Sequence, residues 1–226
     1  RHVDQLLAEV PDAYLPVSFW KDQEYYVQMF VEKIDLQQLF FPVCQRFHVP
    51  VGNAGGWSDL NSRADMMRRF AQWEAEGKQC VLLYAGDFDP GGVRMSDTLM
   101  SNLTELSGAV GWDPSNLTID RFCLNQDFIE EHTLSWIDGL VTSSGNDLAD
   151  PRHRDHDQPY VQDWLRDIGP RKVEANALVT APEAGRALCL QAVTKYVPAD
   201  APAQFQSRLD LEQERVLAAL ERLVGR

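Results

Sequence analysis

Asp87 and Asp89 are two carboxylates separated by one residue, directly after the apolar run Cys80 to Ala85, in the stretch CVLLYAGDFDPGG. An unbroken apolar run of that length reads as a strand buried on both faces of a parallel sheet. Side chains alternate along a strand, so Asp87 and Asp89 leave its carboxyl end on the same side. Paired hard oxygen donors at that place, with room for water and a phosphate, are what Mg²⁺ prefers. Open α/β sheets also bind their ligands at the carboxyl ends of their strands. The bland reading is a solvated Asp-Pro-Gly turn that merely ends the strand. A third acid, Glu32, follows the β-branched and aromatic run Tyr25 to Val31, which reads as a second strand. Strand ends converge in a parallel sheet, so Glu32, Asp87 and Asp89 are candidates for one divalent-metal site.

These acids need a scaffold of alternating strands and helices. The spacing predicts a helix over Asp35 to Phe47, kinked or shortened at Pro42, and then a short strand at Val49 to Val51. The glycine-rich loop Gly52 to Ser58 follows, and Asp59 or Ser62 is placed to cap a helix running to about Glu76, closed by Gly77. Beyond the central strand, Pro90 and the Gly91-Gly92 pair turn the chain into a helix from Val93 to about Ser107. Leu117 to Phe122 reads as another strand and Asn125 to His132 as a short helix. Leu140 to Tyr160 is polar and turn-rich, the pattern of a long surface loop. Val161 to Ile168 and Pro182 to Tyr196 are helical, with Lys172 to Leu178 extended between them. A closing amphipathic helix covers Phe205 to Val224, with Phe205, Leu209, Val216, Leu220 and Leu223 on one stripe. Val3 to Val10 is a short helical pattern, and Pro16 to Asp22 a loop carrying Phe19 and Trp20.

The expected fold class is α/β: a Rossmann-like, mostly parallel sheet of four or five strands, helices on both faces and a helical C-terminal extension. The corresponding division is an N-terminal segment over 1–22, an α/β core over 23–125 and a C-terminal extension over 126–226. The sequence of 226 residues with 44% hydrophobic content suffices for such a core. Its four cysteines, Cys44, Cys80, Cys123 and Cys189, form no CxxC pair and read as buried small hydrophobes. No apolar run approaches the roughly 18 residues of a membrane helix, and no signal-peptide pattern opens the chain, so a cytoplasmic location is expected. A net charge of −13 counts against gripping nucleic acid by bulk electrostatics. It leaves open a metal-dependent phosphodiester chemistry, in which divalent ions supply the local positive charge. The chain begins at Arg1 within a helical pattern and is expected to continue a longer polypeptide.

A strand ending in Val31-Glu32-Lys33, a glycine-rich loop some twenty residues on, and an apolar strand ending in Asp87-Phe88-Asp89-Pro90-Gly91-Gly92 together resemble a Toprim domain, the metal-binding module of topoisomerases, primases and several nucleases. The proline after the second aspartate is closer to the topoisomerase VI A subunit and its meiotic double-strand-break relatives than to primases. The likeness covers Tyr25 to Leu106 well and Lys172 to Val197 loosely. It implies that Asp87 and Asp89 hold Mg²⁺ or Mn²⁺. Glu32 would complete the site or act as general acid and base, with a pKa raised by its carboxylate neighbours. Lys33 is then a candidate catalytic residue contacting phosphate, and otherwise a solvated lysine at a helix start. The implied partner is DNA, with an upstream winged-helix region or a partner subunit and a homodimer as further expectations. The chain departs from the topoisomerase pattern in having too few residues before Tyr25 for the tyrosine-bearing winged helix. Its own tyrosines, Tyr84 among them, read as core or surface side chains.

Other residues carry weaker signals. Gly55, Gly56 and Trp57, with Arg94, are candidates to touch a nucleic-acid backbone, the glycines allowing close approach and the indole a stacking face; a tight loop around a buried Trp is the alternative. His153 and His156 have helical spacing but no further ligand nearby, while Arg152 and Arg154 make their loop one of the few basic spots. Glu174, in a KVEANAL segment similar to one associated with Toprim folds in bacteria, either approaches the metal site or pairs with Lys172 or Arg171. Two other functions suit the same residues: a non-catalytic Toprim-like module that binds DNA or a partner, and a Rossmann-like phosphohydrolase using the DxD pair.

Overall fold

A computed structural model describes residues 17–54, 59–142 and 144–224. The expected helix at Val3 to Val10 and the loop residues Gly55, Gly56 and Trp57 lie outside them. Four strands form one fully parallel sheet in the order β2-β1-β3-β4: β1 (Tyr25–Val31), β2 (Val51–Asn53), β3 (Gln79–Gly86) and β4 (Thr118–Cys123). The run from Cys80 to Ala85 occupies the inside of the sheet, hydrogen-bonded to β1 on one side and β4 on the other, and every residue in it is buried. A strand covered on both faces excludes polar side chains, which is why its sequence is continuous rather than alternating.

Crossover helices cover the faces. Helix α1 (Ile34–Arg46) joins β1 to β2, α2 (Leu60–Ala75) joins β2 to β3, and the pair α3 (Pro90–Val93) and α4 (Met95–Val110) joins β3 to β4. Because β1 leads outward to β2 while β3 lies on its other side, the winding direction reverses between β1 and β3. That is the topological switch point, where the loops leaving adjacent strands part and open a crevice. Helix α1 buries Leu36, Leu39, Phe40 and Cys44. It runs unbroken through Pro42, which sits on its exposed side. There the proline's missing N–H leaves a carbonyl that water can satisfy, so the helix is not shortened at that point.

Other differences are local. The second strand begins at Val51 rather than Val49, since Pro50 has no N–H to offer and takes part only by accepting from Met29 N at 2.8 Å. Asp59 caps α2 as expected, its carboxylate accepting from the amides of Asn61 and Ser62. Phe19–Asp22 is a 3₁₀ turn rather than a loop, with Phe19 and Trp20 buried. The helix expected from Val93 is divided at Arg94.

Past β4 come α5 (Gln126–Glu131), the two-residue strand β5 (Ile137–Asp138), and a run of turns to α6 (Pro159–Asp167). The strand β6 (Arg171–Lys172) pairs antiparallel with β5, and a 3₁₀ turn over Ala175–Thr180 leads to α7 (Pro182–Thr194) and α8 (Ala201–Val224). Residues from β1 through α8 share one hydrophobic core, in which α7 packs on α1 and β4. The four cysteines are free and buried. Among the described residues no helix is long and apolar enough to cross a membrane.

Candidate metal centre at the strand ends

The ladder between β1 and β3 pairs Val31 with Ala85 and continues one bond further, the Glu32 amide donating to Ala85 O at 2.9 Å. That bond puts the Glu32 side chain level with Gly86. Tyr84 lies two residues before Gly86 on the same strand face. Its ring stacks on Phe30 and leans over Gly86, where a Cβ would overlap the hydroxyl. The space left by the glycine lets the hydroxyl donate to Glu32 Oε2 at 3.0 Å, and the Asp87 amide donates to the same oxygen at 3.0 Å. Oε2 is therefore occupied by two donors, and Oε1 is the oxygen turned toward Lys33.

Asp87 is 5% exposed. Its Oδ1 accepts from the Ala175 amide at 2.8 Å, and its Oδ2 lies 3.0 Å from Lys33 Nζ, which is also 3.9 Å from Glu32 Oε1. One ammonium thus bridges the two acids from opposite sides of the switch point. Asp89 is on the same pocket wall, but its Oδ1 accepts from the Gly92 amide at 2.5 Å and caps α3. These arrangements keep the acids apart: among the described residues no three His, Cys, Asp or Glu side chains close on a single point. A cavity of about 560 Å³ opens onto Glu32, Lys33, Asp87, Asp89, Lys172 and Glu174. Glu174 reaches it because Phe88 and Val173 exchange both backbone hydrogen bonds, stitching the KVEANAL segment to the acid loop. Glu174 also pairs with Lys172 at 3.7 Å, the ion pair expected as its alternative.

The donor set still suits Mg²⁺, which needs only one or two carboxylates and keeps much of its water. Glu32 Oε1 and Asp87 Oδ2 both face a cation now, and the cation is Lys33. Burial raises the Glu32 pKa most; the Asp87 charge adds to it, while the Asp87 amide, Tyr84 and Lys33 oppose it. The expected direction is met, but desolvation is a larger cause than carboxylate repulsion. For Lys33 burial is the largest single influence and acts downward, but the hydrogen bond and charge of Asp87 together with the charges of Glu32 and Glu174 outweigh it, and the pKa rises. Tyr84 is pushed up by burial and then by the Glu32 charge, which keeps it protonated as a donor.

A carboxyl with a raised folded pKa favours the folded state below its unfolded value and loses that contribution as pH rises through the folded value. In metal-free protein, Glu32→Gln is therefore expected to match the wild-type melting temperature near pH 4 and to exceed it increasingly toward pH 8. A pH series of thermal melts checks this; a difference that shrinks with rising pH would contradict the assignment.

Two supporting residues carried little signal in the sequence. Arg121 sits beside Tyr84 on β4, and its guanidinium donates to the carbonyls of Asp87 at 3.1 Å, Leu124 at 3.2 Å and Gly92 at 3.3 Å. It ties the acid loop to β4, and an arginine inside a strand pattern was the available clue. Gly92 packs so closely on Asp87 O that a Cβ there would overlap it. Arg121→Met should leave three carbonyls without their charged donor and lower stability by about 3 kcal/mol, a fall of roughly 6–12 °C for a domain of this size. Calorimetry checks it, and a shift under about 2 °C would show that the staple is dispensable. Arg94 is exposed, with its guanidinium 4.6 Å above the Tyr160 ring. His153 Nδ1 accepts from the Asp155 amide and His156 Nδ1 contacts Leu148 O, so both serve loop geometry.

No protein-family model matches this chain, and neither the curated proteins nor the solved structures contain a significant match to it.

Proposed function

We propose that the chain is a Mg²⁺- or Mn²⁺-dependent DNA-processing protein of Toprim type that cleaves phosphodiesters at Glu32, Asp87 and Asp89. One observation carries the reading: acids from the two strands flanking the switch point share a single cation, Lys33 Nζ, in an open pocket that also takes in Asp89. Asp87 and Asp89 would hold the divalent ion, which would supply Lewis-acid polarisation of the phosphate, and of its two expected roles Glu32 takes that of general acid and base. Lys33, released from Asp87, keeps three donors for a phosphate oxygen. Glu32 has a raised pKa and only Oε1 directed at the pocket, so it takes or returns the nucleophile's proton at that atom. Tyr84 and the Asp87 amide hold the carboxylate still while the proton moves.

The test is cleavage of supercoiled plasmid by purified protein in Mg²⁺, Mn²⁺ or EDTA. Nicked or linear product that requires the metal supports the reading, and product formed equally in EDTA opposes it. The Lys33–Asp87 pair also favours a second reading, a non-catalytic module in which Lys33 is the permanent cation; DNA binding with no cleavage in any metal is its signature.

A further inference from the structure

We propose that a trough beside the acid pocket holds the DNA strand flanking the reacting phosphate; the proposal rests on the phosphodiester reading of that pocket. A cavity of about 930 Å³ borders the pocket and shares Gly91, Thr142 and Leu148 with it, so the two form one continuous depression. Its far wall is the polar loop before α6. That loop carries Arg152 and Arg154, whose side chains are 90% and 88% exposed. Tyr160 forms part of the wall, with Arg94 stacked on its ring at 4.6 Å. Two guanidiniums in the lining, Arg152 and Arg154, and an aromatic ring braced by a third, Arg94, form the pairing that holds a single strand, cations on phosphates and rings beside bases.

The wall also contains three acids, Asp147, Asp150 and Asp155. Asp147 Oδ1 accepts from the amides of Leu140 and Ala149, and Asp150 Oδ1 from the amide of Arg152. Asp147 is used to fold the loop, while Asp150 and Asp155 also bond the exposed guanidiniums of Arg152 and Arg154. Arg152 pairs with Asp150 at 2.6 Å and Arg154 with Asp155 at 3.2 Å. Such exposed pairs contribute little, so a phosphate can recruit either arginine at small cost. In a chain of net charge −13, Arg152 and Arg154 are two exposed cations placed beside the acid pocket, where a phosphate contact would count most.

The experiment measures binding of a fluorescein-labelled single-stranded oligonucleotide by anisotropy over a range of salt, in EDTA so that no cleavage occurs. The variant Arg152→Ala with Arg154→Ala is compared with Arg68→Ala with Arg166→Ala. The control removes the same charge from two exposed arginines that also pair with nearby aspartates but lie outside the trough. Loss of two phosphate contacts should reduce the salt slope by about 1.4 and weaken binding roughly twenty-fold near 0.1 M salt. The control should match wild type, and neither variant should move the melting temperature. Equal weakening in both variants, an unchanged slope in the trough variant, or no binding by wild type would overturn the proposal. Plasmid cleavage by wild type in Mg²⁺ is scored separately. Trough-dependent binding without cleavage keeps the strand site and removes the catalytic reading, and cleavage with trough-independent binding does the reverse.

Discussion

Asp87→Asn is expected to lower metal-dependent plasmid cleavage by at least about 10³-fold, the loss of roughly 4 kcal/mol of transition-state stabilisation. Two features make Asp87 the most sensitive of the three acids. It is 5% exposed, and its two oxygens have different duties: Oδ1 receives the Ala175 amide, while Oδ2 faces the cation. Asparagine can keep the first duty with its amide oxygen, which places its NH₂ group where the negative oxygen stood. Lys33, whose side chain is 32% exposed, then turns toward Glu32 or water instead of remaining buried without a partner. The stability cost should therefore be about 1–2 kcal/mol, below the roughly 3–5 kcal/mol of a fully buried pair broken on one side. The measurement pairs initial cleavage rates in Mg²⁺ with thermal melts in EDTA. Cleavage within about tenfold of wild type would remove Asp87 from the chemistry. A collapse of the melt would reduce the activity loss to unfolding, and Asp87→Glu, which keeps the charge but moves it, would then serve as the second variant.

The acids' place in the fold is legible because it depends on short-range rules. The uninterrupted run Cys80 to Ala85 requires two covered faces, and the tyrosine- and valine-rich run before Glu32 requires a neighbouring strand. In parallel strands the following acids must then share an edge. What each oxygen does is not legible in this way. Asp89 reads as a ligand from its spacing with Asp87, but nothing in that spacing shows that the Pro90-Gly91-Gly92 turn also presents the Gly92 amide to its Oδ1, so that it caps a helix as well. Lys33 reads as either a phosphate contact or a solvated lysine. Its bond to Asp87 depends on the register between β1 and β3, which joins residues far apart in the sequence. Glu174 approaches the pocket only through the Phe88–Val173 bridge, whose strands are too short to announce themselves by alternation. Tyr84 is hidden for a different reason. In a buried run a tyrosine looks like one more large apolar residue, and the sign that its hydroxyl has a destination is the glycine two positions on.

That glycine yields the second large effect. Gly86→Ala places a methyl group where the Tyr84 hydroxyl and the ring carbon bearing it lie. Tyr84 cannot swing aside, since it is fully buried and stacked on Phe30 at 5.8 Å between ring centroids. Overpacking of this kind costs about 1–3 kcal/mol, and the lost hydroxyl bond to Glu32 adds about 1 kcal/mol. A melting temperature lower by roughly 4–16 °C is expected. Glu32 would keep the Asp87 amide but lose the donor that fixes its tilt, so cleavage should fall about 10²-fold, as misplacement of a reacting group by about 1 Å does. Tyr84→Phe separates the two causes. Alone it removes the hydroxyl, costing about 1 kcal/mol and much of the activity with no clash. Combined with Gly86→Ala it removes the closest overlapping atom but leaves the ring carbon, so the alanine should cost about 1 kcal/mol less in the Tyr84→Phe background than in wild type. Activity should not recover in the double variant, because Glu32 still lacks its phenolic donor. Strictly additive stabilities across the four proteins, or full activity in Tyr84→Phe, would mean that the hydroxyl neither requires Gly86 nor orients Glu32.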